Sequence, residues 1–328
     1  MDIANQIASV IVVNYNGRHF LADCLGALER QTLPRHRYEI LLIDNASADG
    51  SAEFVRAKYP GVRVIDAGGN FGFTGANNLG FKLARGRYVV LLNNDTRPEP
   101  GWLAGLLAAA TGERIGGVTS RVLFRDEPGL INSTGLVPYR DGRAGDRDLR
   151  LPDGAATRPA GEVFGGCGAS LLLTREMLDD VGGFDPTLFM YYEDLDLAWR
   201  ARLRGWRFVY TPESIVYHVG GGTTGQDSPL LVRQVEQNRT LVSLRNGPPF
   251  LAVWAGVGLL LRAGRSLLRF TGRQDRADQT PAHLLAMAGA VASILLRLPA
   301  IMLERYRIRT ERRRCSDQAI SRFVQPHP

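Results

Sequence analysis

Residues 38–44 read YEILLID. Ile40, Leu41, Leu42 and Ile43 follow one another without a polar break, and Asp44 ends the run. A strand wetted on one face would alternate. An unbroken apolar run of this length reads as a strand covered on both faces, the habit of parallel sheets. Working outward, residues 9–14 (SVIVVN) form a second run rich in β-branched side chains, residues 62–66 (VRVID) a third and residues 88–92 (YVVLL) a fourth. Between the first two, Phe20, Leu21, Leu25 and Leu28 recur at helical spacing. Parallel strands need such crossovers, so the first third predicts a doubly wound α/β fold with a Rossmann-like, mostly parallel sheet.

Polar residues stand just past the carboxyl ends of these strands. They are Asn14-Tyr15-Asn16, Asp44-Asn45 and Asn93-Asn94-Asp95. In an open α/β sheet that edge is where ligands bind. Any one cluster is explained as well by turn chemistry, because Asn and Asp favour loops. Three strands delivering them to one edge point to a site. Residues 68–78 (GGNFGFTGANN) lie between the third strand and the next helical stretch. Glycine backbone leading into a helix suits phosphate, although this run is neither a dinucleotide fingerprint nor a Walker A loop.

Three features carry chemistry. Asp95, at the end of a buried strand, offers a hard oxygen ligand for a divalent cation bound to a diphosphate. Glu193 and Asp194 open a helical pattern in which Leu195, Trp199 and Leu203 would face the core. There Asp196 and Arg200 make a structural pair four residues apart. The aromatic run Phe189-Met190-Tyr191-Tyr192 precedes the two acids and suits the wall of a sugar site, and adjacent carboxylates there suit general-base work. Stabilisation of the helix N-terminus is the plainer reading of the same acids. His218 follows a strand-like stretch and precedes Gly220-Gly221-Gly222, and a neutral imidazole can complete a metal site.

The rest of the chain supplies context. Residues 129–161, rich in Gly, Pro, Asp and Arg, read as a long loop or small insertion. Residues 169–173 read as a strand, residues 190–204 contain a helix, a strand begins at 207–210 and residues 230–244 are helical. The net charge of +7 is uneven. From Arg245 onward 14 arginines face five acids, so this tail carries +9 and the preceding 244 residues −2. The tail also holds two apolar runs, residues 250–261 and 282–296, both short of the roughly 20 residues that span a bilayer. The division is therefore residues 1–247, a catalytic domain, and 248–328, a basic helical tail. Short apolar runs flanked by arginines suit interfacial helices on an anionic membrane, and ordinary packing on the catalytic domain is the alternative. No nucleic-acid-binding motif accompanies the charge, so nucleic acid is not an expected partner. Three cysteines without metal spacing imply no disulfide framework and fit a reducing cytosol. The N-terminal apolar run is too short and strand-like for a signal peptide.

Taken in order, VIVVNYNG, LLIDNASADGS, GGNFGFTGANNLG, YVVLLNNDT, FGGCGASLLLTREML, GGFDPTLFMYYEDLDLAWRARLRGW and IVYHVGG resemble glycosyltransferase family 2, in its bacterial rhamnosyltransferase-like branch. The resemblance covers about residues 8–222. It implies a GT-A fold and a single displacement with inversion at the anomeric carbon of a nucleotide-sugar, dTDP-rhamnose first and UDP-sugars next. It implies that Asp44 and Asn14, Tyr15 and Asn16 hold the base and ribose, with Asn45 and Asn94 at the same edge. Asn70, Gly75 and Asn77 would border the nucleotide-sugar. Asp95 matches the last acid of the Asp-x-Asp motif that holds Mg²⁺ or Mn²⁺, His218 matches a position where some relatives place a further ligand, and Asp194 matches the general base, with Glu193 beside it. Asn93 stands where the motif has its first acid, so this site has one carboxylate fewer. The Gln-x-x-Arg-Trp signature of processive synthases is absent, since Gln237-Asn238-Arg239 is a different sequence, which implies one sugar per binding event. The acceptor would be a lipid-linked or cell-envelope glycan, met at the cytoplasmic, inner face of the cell membrane where the tail places the enzyme peripherally.

Other classes fit less well. A nicotinamide-dependent oxidoreductase needs a glycine fingerprint after the first strand, and Asn14-Tyr15-Asn16-Gly17 is not one. A nucleotidyltransferase of similar sheet needs a basic, glycine-rich triphosphate loop near the N-terminus. A non-catalytic sugar-binding or scaffold protein has no need of Asp95, Asp194 and His218 together.

Overall fold

The computed structural model describes residues 7–154, 158–220, 228–271 and 280–326. Strands β1 (Ala8–Asn14), β2 (Tyr38–Asp44), β3 (Val62–Asp66) and β4 (Tyr88–Leu92) are the four runs read from the sequence. They pair in parallel in the order β3-β2-β1-β4. Helices α1 (Arg18–Glu29), α2 (Ser51–Lys58) and α3 (Gly72–Leu83) make the crossovers. Alternate residues of each strand feed two different cores. Val10, Val12, Ile40 and Leu42 pack with Leu21, Leu25 and Leu28 of α1. Ile11, Leu41 and Ile43 pack with Ala76 and Phe81 of α3. Burial on both faces is why the runs of β1, β2 and β4 lack alternation, whereas β3, at the end of the sheet, is only partly buried and carries Arg63 and Asp66. The chain steps from β1 to β2 and β3 on one side and returns to β4 on the other, so strand order reverses beside β1. Such a switch point opens a crevice at the carboxyl edge.

Beyond β4 the sheet becomes mixed. The chain runs through β5 (Thr96–Pro98), helix α4 (Trp102–Ala109) and the long strand β6 (Ile115–Phe124). Residues 129–161, expected as loop or insertion, contain β7 (Ile131–Ser133) and a small hairpin of β8 (Leu136–Pro138) and β9 (Ala144–Asp146), and at their end β10 (Gly161–Val163) begins. The hairpin turn presses on the tail, where a Cβ at Gly142 would stand 3.3 Å from Ala255 Cβ. Strand β11 (Ser170–Thr174) runs antiparallel to both β4 and β6. After helices α5 (Arg175–Val181) and α6 (Glu193–Leu203), β12 (Arg207–His218) pairs in parallel with β6. It joins the strand expected to begin at 207–210 to the strand-like stretch before His218, through a register shift between Tyr210 and Ile215.

Helix α7 (Pro229–Asn246) closes residues 1–247, and the tail beyond it comprises α8 (Pro249–Thr271), α9 (Pro281–Arg307) and α10 (Asp317–Ser321). Helices α8 and α9 have 23 and 27 residues, longer than the apolar runs within them. The expectation that both segments are too short to span a bilayer is therefore corrected. Each helix continues through its arginines, and by length and composition each is long and apolar enough to cross one. Their two faces differ. Leu251, Leu259, Met287, Ala290, Ile294 and Ile301 join the core that holds Trp199 and Leu241. Arg305 donates to the carbonyls of Leu244 and Gly247, and Arg309 also donates to Gly247. The other faces expose Val253, Trp254, Leu260, Leu261, Leu295 and Leu296. The packing alternative and the exposed apolar surface are thus both present, on opposite sides of the same helices.

Candidate active site

The register of β1 and β2 sets Asn14 beside Asp44 at the carboxyl edge. Asn14 is fully buried, and its Nδ2 donates to Ser47 Oγ at 3.0 Å while its Oδ1 accepts from Asn94 Nδ2 at 2.7 Å. The three strand ends are thereby tied across the switch point. Gly17 permits this tie, because a Cβ there would stand 2.2 Å from Asn94 Nδ2. Asn16, in the left-handed region at φ 51°, accepts from the Ala48 N–H at 2.7 Å. Tyr15 is exposed beside it. Asp44 is buried, and its Oδ1 has no hydrogen-bond partner among the described residues. A buried acceptor without a donor costs free energy unless a ligand supplies one. Asn45 Nδ2 donates to Asn70 Oδ1 at 3.0 Å, and Asn45 Oδ1 accepts from the Phe71 N–H at 2.9 Å. Asn45 and Asn70 therefore fasten the glycine-rich loop against β2.

Asp95 and His218 meet although 123 positions separate them. The cause is the antiparallel pairing of β5 with the end of β12, which sets His218 opposite Thr96. Asp95 Oδ1 lies 3.3 Å from His218 Nε2 and makes no hydrogen bond among the described residues. On the far side of the ring, Nδ1 is 2.9 Å from Asn132 Oδ1. An amide oxygen only accepts, so Nδ1 carries the proton and Nε2 offers its lone pair toward Asp95. Asn93 Nδ2, 3.4 Å from Nε2, is compatible with that tautomer. Two electron-pair donors facing each other without a proton between them fit one edge of a divalent-cation site. Among the described residues no three His, Cys, Asp or Glu side chains gather to hold an ion alone, so remaining positions would fall to phosphate and water.

The third cluster stands at the start of α6. Phe189, Tyr191 and Tyr192 all have positive φ, at 58°, 67° and 70°. For aromatic residues this conformation costs on the order of 1–3 kcal/mol each and persists only where surroundings enforce it. It turns the chain sharply into Glu193 and Asp194. Asp194 accepts at Oδ1 from its neighbour's N–H (Leu195, 2.7 Å) and at Oδ2 from Gly168 N–H (3.2 Å). Burial raises its carboxyl to about 6, the Gly168 bond opposing and the charge of Asp146 adding. Burial, then the charge of Asp194, pushes Glu193 well above the usual carboxylate range. Burial and the like charges beside them thus raise both acids, and Asp194, at about 6, is ionised at neutral pH. Asp196, one turn on, is the opposite case. Burial alone would raise it, but Arg245 and Arg200, both bonded to it, hold it at about 2. The expected Asp196–Arg200 pair is therefore part of a larger structural network.

Two expected donor residues lie apart from these clusters. Gly75 sits on α3 against Phe71, where both line a surface cavity of about 710 Å³ that also includes Asn78, Phe81 and Arg175. The Asn77 side chain is buried and donates back to the Phe73 carbonyl of its own helix at 2.8 Å. Gly220 is described, whereas Gly221 and Gly222 lie outside the described residues. Sequence reasoning missed Asp146. It stands at the end of β9, burial raises its carboxyl, and the charges it feels or exerts involve both His218 and Asp194. It therefore links the second cluster to the third. The glycine- and arginine-rich stretch around it carries no periodicity that would have marked it.

Comparison with known proteins identifies the family and the fold. Residues 9–182 match glycosyl transferase family 2. An N-acetylglucosaminyl-diphospho-decaprenol L-rhamnosyltransferase of Mycobacterium tuberculosis is 30% identical over 254 residues, covering 68% of this chain and 79% of the relative. Among solved structures, GalNAc-T7 with UDP, GalNAc and Mn²⁺ superposes with a TM-score of 0.61 at 15% identity, over 90% of this chain and 57% of that one. The mannosyltransferase PcManGT of Pyrobaculum calidifontis, in complex with GDP-Man and Mn²⁺, gives 0.55 at 17% identity, over 94% and 86%. With a GT-A sheet, its ligand edge and the family match in agreement, the chain is a glycosyltransferase and belongs to glycosyltransferase family 2.

Proposed function

We propose that the enzyme transfers one rhamnose, with inversion, from dTDP-rhamnose to a hydroxyl of a lipid-linked glycan, working on the cytoplasmic face of the membrane. The observation that carries the reading is Asp194, a carboxylate fixed by two backbone N–H groups and raised to about 6, on the sheet edge that also bears Asp95 and His218. An acceptor hydroxyl is a poor nucleophile, so a base must take its proton as attack proceeds. Asp194 takes that proton while the hydroxyl oxygen bonds to the anomeric carbon. The bond from that carbon to the diphosphate oxygen breaks, and its electron pair leaves with the nucleotide. Asp95 and His218 would hold a divalent cation, Mg²⁺ or Mn²⁺, which when bound neutralises charge on the departing diphosphate. Asp44, Asn14 and Asn16 would receive the base and ribose, with Tyr15, Asn45 and Asn94 lining that end. Asn70, Gly75 and Asn77 act through the loop and helix that border it.

The donor sugar and the lipid-linked acceptor are proposed from the mycobacterial relative, whose name carries both. In this reading residues 1–247 form the catalytic domain and 248–328 the membrane-associating tail. Its exposed apolar faces and basic flanks suit an anionic lipid surface. The test is transfer from dTDP-rhamnose to a synthetic polyprenyl-diphosphoryl N-acetylglucosamine, followed by mass spectrometry. One added deoxyhexose of inverted anomeric configuration is expected. Turnover of UDP-sugars but not dTDP-rhamnose would overturn the donor, and no turnover of any nucleotide-sugar with Mg²⁺ or Mn²⁺ would overturn the activity.

A further inference from the structure

The turn that delivers Asp194 is held from outside the catalytic sheet. Asn238 sits in the middle of α7, is fully buried, and directs its side-chain amide at three backbone carbonyls of that one turn. Its Nδ2 lies 2.8 Å from the Leu188 carbonyl, 2.9 Å from that of Met190 and 2.9 Å from that of Tyr191. The amide has two hydrogens, so the three acceptors share them. The opposite flip would aim Oδ1 at three carbonyl oxygens, which fixes the orientation. The fourth carbonyl of the stretch, Phe189, accepts from the Thr74 N–H at 3.1 Å, at the start of α3. Gly72 makes room for it, since a Cβ there would stand 2.4 Å from that carbonyl oxygen. Residues 188–191 thus have every carbonyl tied, three of them by a single side chain. Three of the residues immediately before Glu193 are in the left-handed region that only enforced packing maintains.

We propose that Asn238 is a positioning residue for the transfer reaction, holding the left-handed turn at 188–192 so that Asp194 stays bonded at Gly168. It touches no substrate. Its amide replaces the hydrogen bonds that a regular strand or helix would give those carbonyls, and so makes the turn affordable only in this one conformation. Without it the carbonyls regain freedom to rotate toward water, and the carboxyl that follows loses its fixed place. Glu193, Asp146 and Cys167 are titratable groups that interact with Asp194 among the described residues, and none of these three is a cation that could hold it in place of that turn.

The role rests on Asp194 being the base, and the test separates the two claims. Asn238→Ala and Asn238→Ser are compared with wild type by donor binding, by transfer from dTDP-rhamnose over a pH range, and by amide hydrogen exchange. Nucleotide affinity should stay within a few-fold, while turnover falls roughly 10- to 100-fold, the usual cost of misplacing a catalytic group by about an ångström. The acid limb of the pH–rate profile should move down as Asp194 reaches water. Amides of 190–195 should lose protection while those of β1 and β2 keep theirs. Should Asn238→Ala fail to fold, Asn238→Ser, which keeps one donor, carries the same expectations at smaller amplitude. Unchanged turnover with an unchanged acid limb overturns the proposal. So does a loss of protection spread evenly over the sheet and α7, which would mark Asn238 as a stabilising residue without a positioning role. If the wild type turns over no nucleotide-sugar, the functional reading fails, yet the exchange pattern still decides whether Asn238 holds the turn.

Discussion

Replacing Asp194 with Asn should make the protein inactive and more stable at once. The native carboxyl has been raised from its ordinary 3.8 to about 6. Above pH 6 the group is ionised in both folded and unfolded states, and the folded state bears the full cost of the charge, ~3 kcal/mol for a rise of this size. Below pH 3.8 it is protonated in both and the cost vanishes. The cost therefore appears as pH climbs through that window. Asn bears no charge at any pH, but its amide nitrogen must face one of two N–H donors, from Leu195 or Gly168, and loses about 1 kcal/mol of hydrogen bonding. The net gain at pH 7.5 is ~2 kcal/mol. For 328 residues, an unfolding entropy of roughly 2.1 cal/mol/K per residue turns this into a melting temperature about 3 °C higher. At pH 4.5 the relieved charge is worth only ~1 kcal/mol and the lost bond cancels it, so the two proteins should melt together. Differential scanning fluorimetry at both pH values, alongside transfer assays, measures all of this. Turnover should fall by about 10²- to 10⁴-fold with nucleotide binding within a few-fold. In the wild type, activity should decline about tenfold per pH unit below 6. An Asp194→Asn protein that turns over like wild type, or that melts lower than wild type at pH 7.5 with its fold intact, would refute the reasoning.

Other outcomes follow from the remaining clusters. Asp95→Ala should weaken Mn²⁺-supported binding of a nucleoside diphosphate in calorimetry, and excess EDTA should inactivate the wild type; full-rate transfer in EDTA would remove the metal from the scheme. Asp44→Ala should weaken nucleotide binding equally with and without Mn²⁺, and a change in metal requirement instead would reassign it. The full chain should sediment with anionic liposomes and be partly released by salt, and a chain that remains in solution at low salt would leave the apolar faces of α8 and α9 unexplained. Truncation before Pro248 should lower thermal stability, because Ile294, Ile301 and Met287 complete the main core. Unchanged melting would contradict that packing.

Strands buried on both faces announce themselves, which is why β1, β2 and β4 and the polar residues at their ends were legible, while β3, partly buried at the end of the sheet, was legible from its β-branched residues. The antiparallel β11 between β4 and β6 was legible as a strand but not as a reversal, since direction depends on which neighbour it meets. Strand β6 itself, IGGVTSRVLF, is too interrupted by glycine and polar residues to stand out. Asp95, Asp194 and His218 could be named from their settings. Their partners could not, because Asn132, Asp146, Gly168 and Asn238 reach the site through tertiary pairing at separations no periodicity encodes. The tail was read by its apolar runs, and its helices outlast those runs because helix length is set by packing and caps as well as by hydropathy.

The β8–β9 hairpin gives the molecule a built-in ruler. Its turn rests on Ala255 of α8, and its last residue, Asp146, reaches the carboxylates around Asp194. Three residues, 143–145, lie between, a reach of roughly 13 Å along extended chain. With α8 seated on a bilayer, chemistry would proceed at a set altitude above the lipid headgroups. An acceptor hydroxyl carried too close to its anchor would pass beneath the base, and one carried too far would swing above it. Acceptor choice would then be partly a matter of stature, decided before any sugar is recognised by its shape.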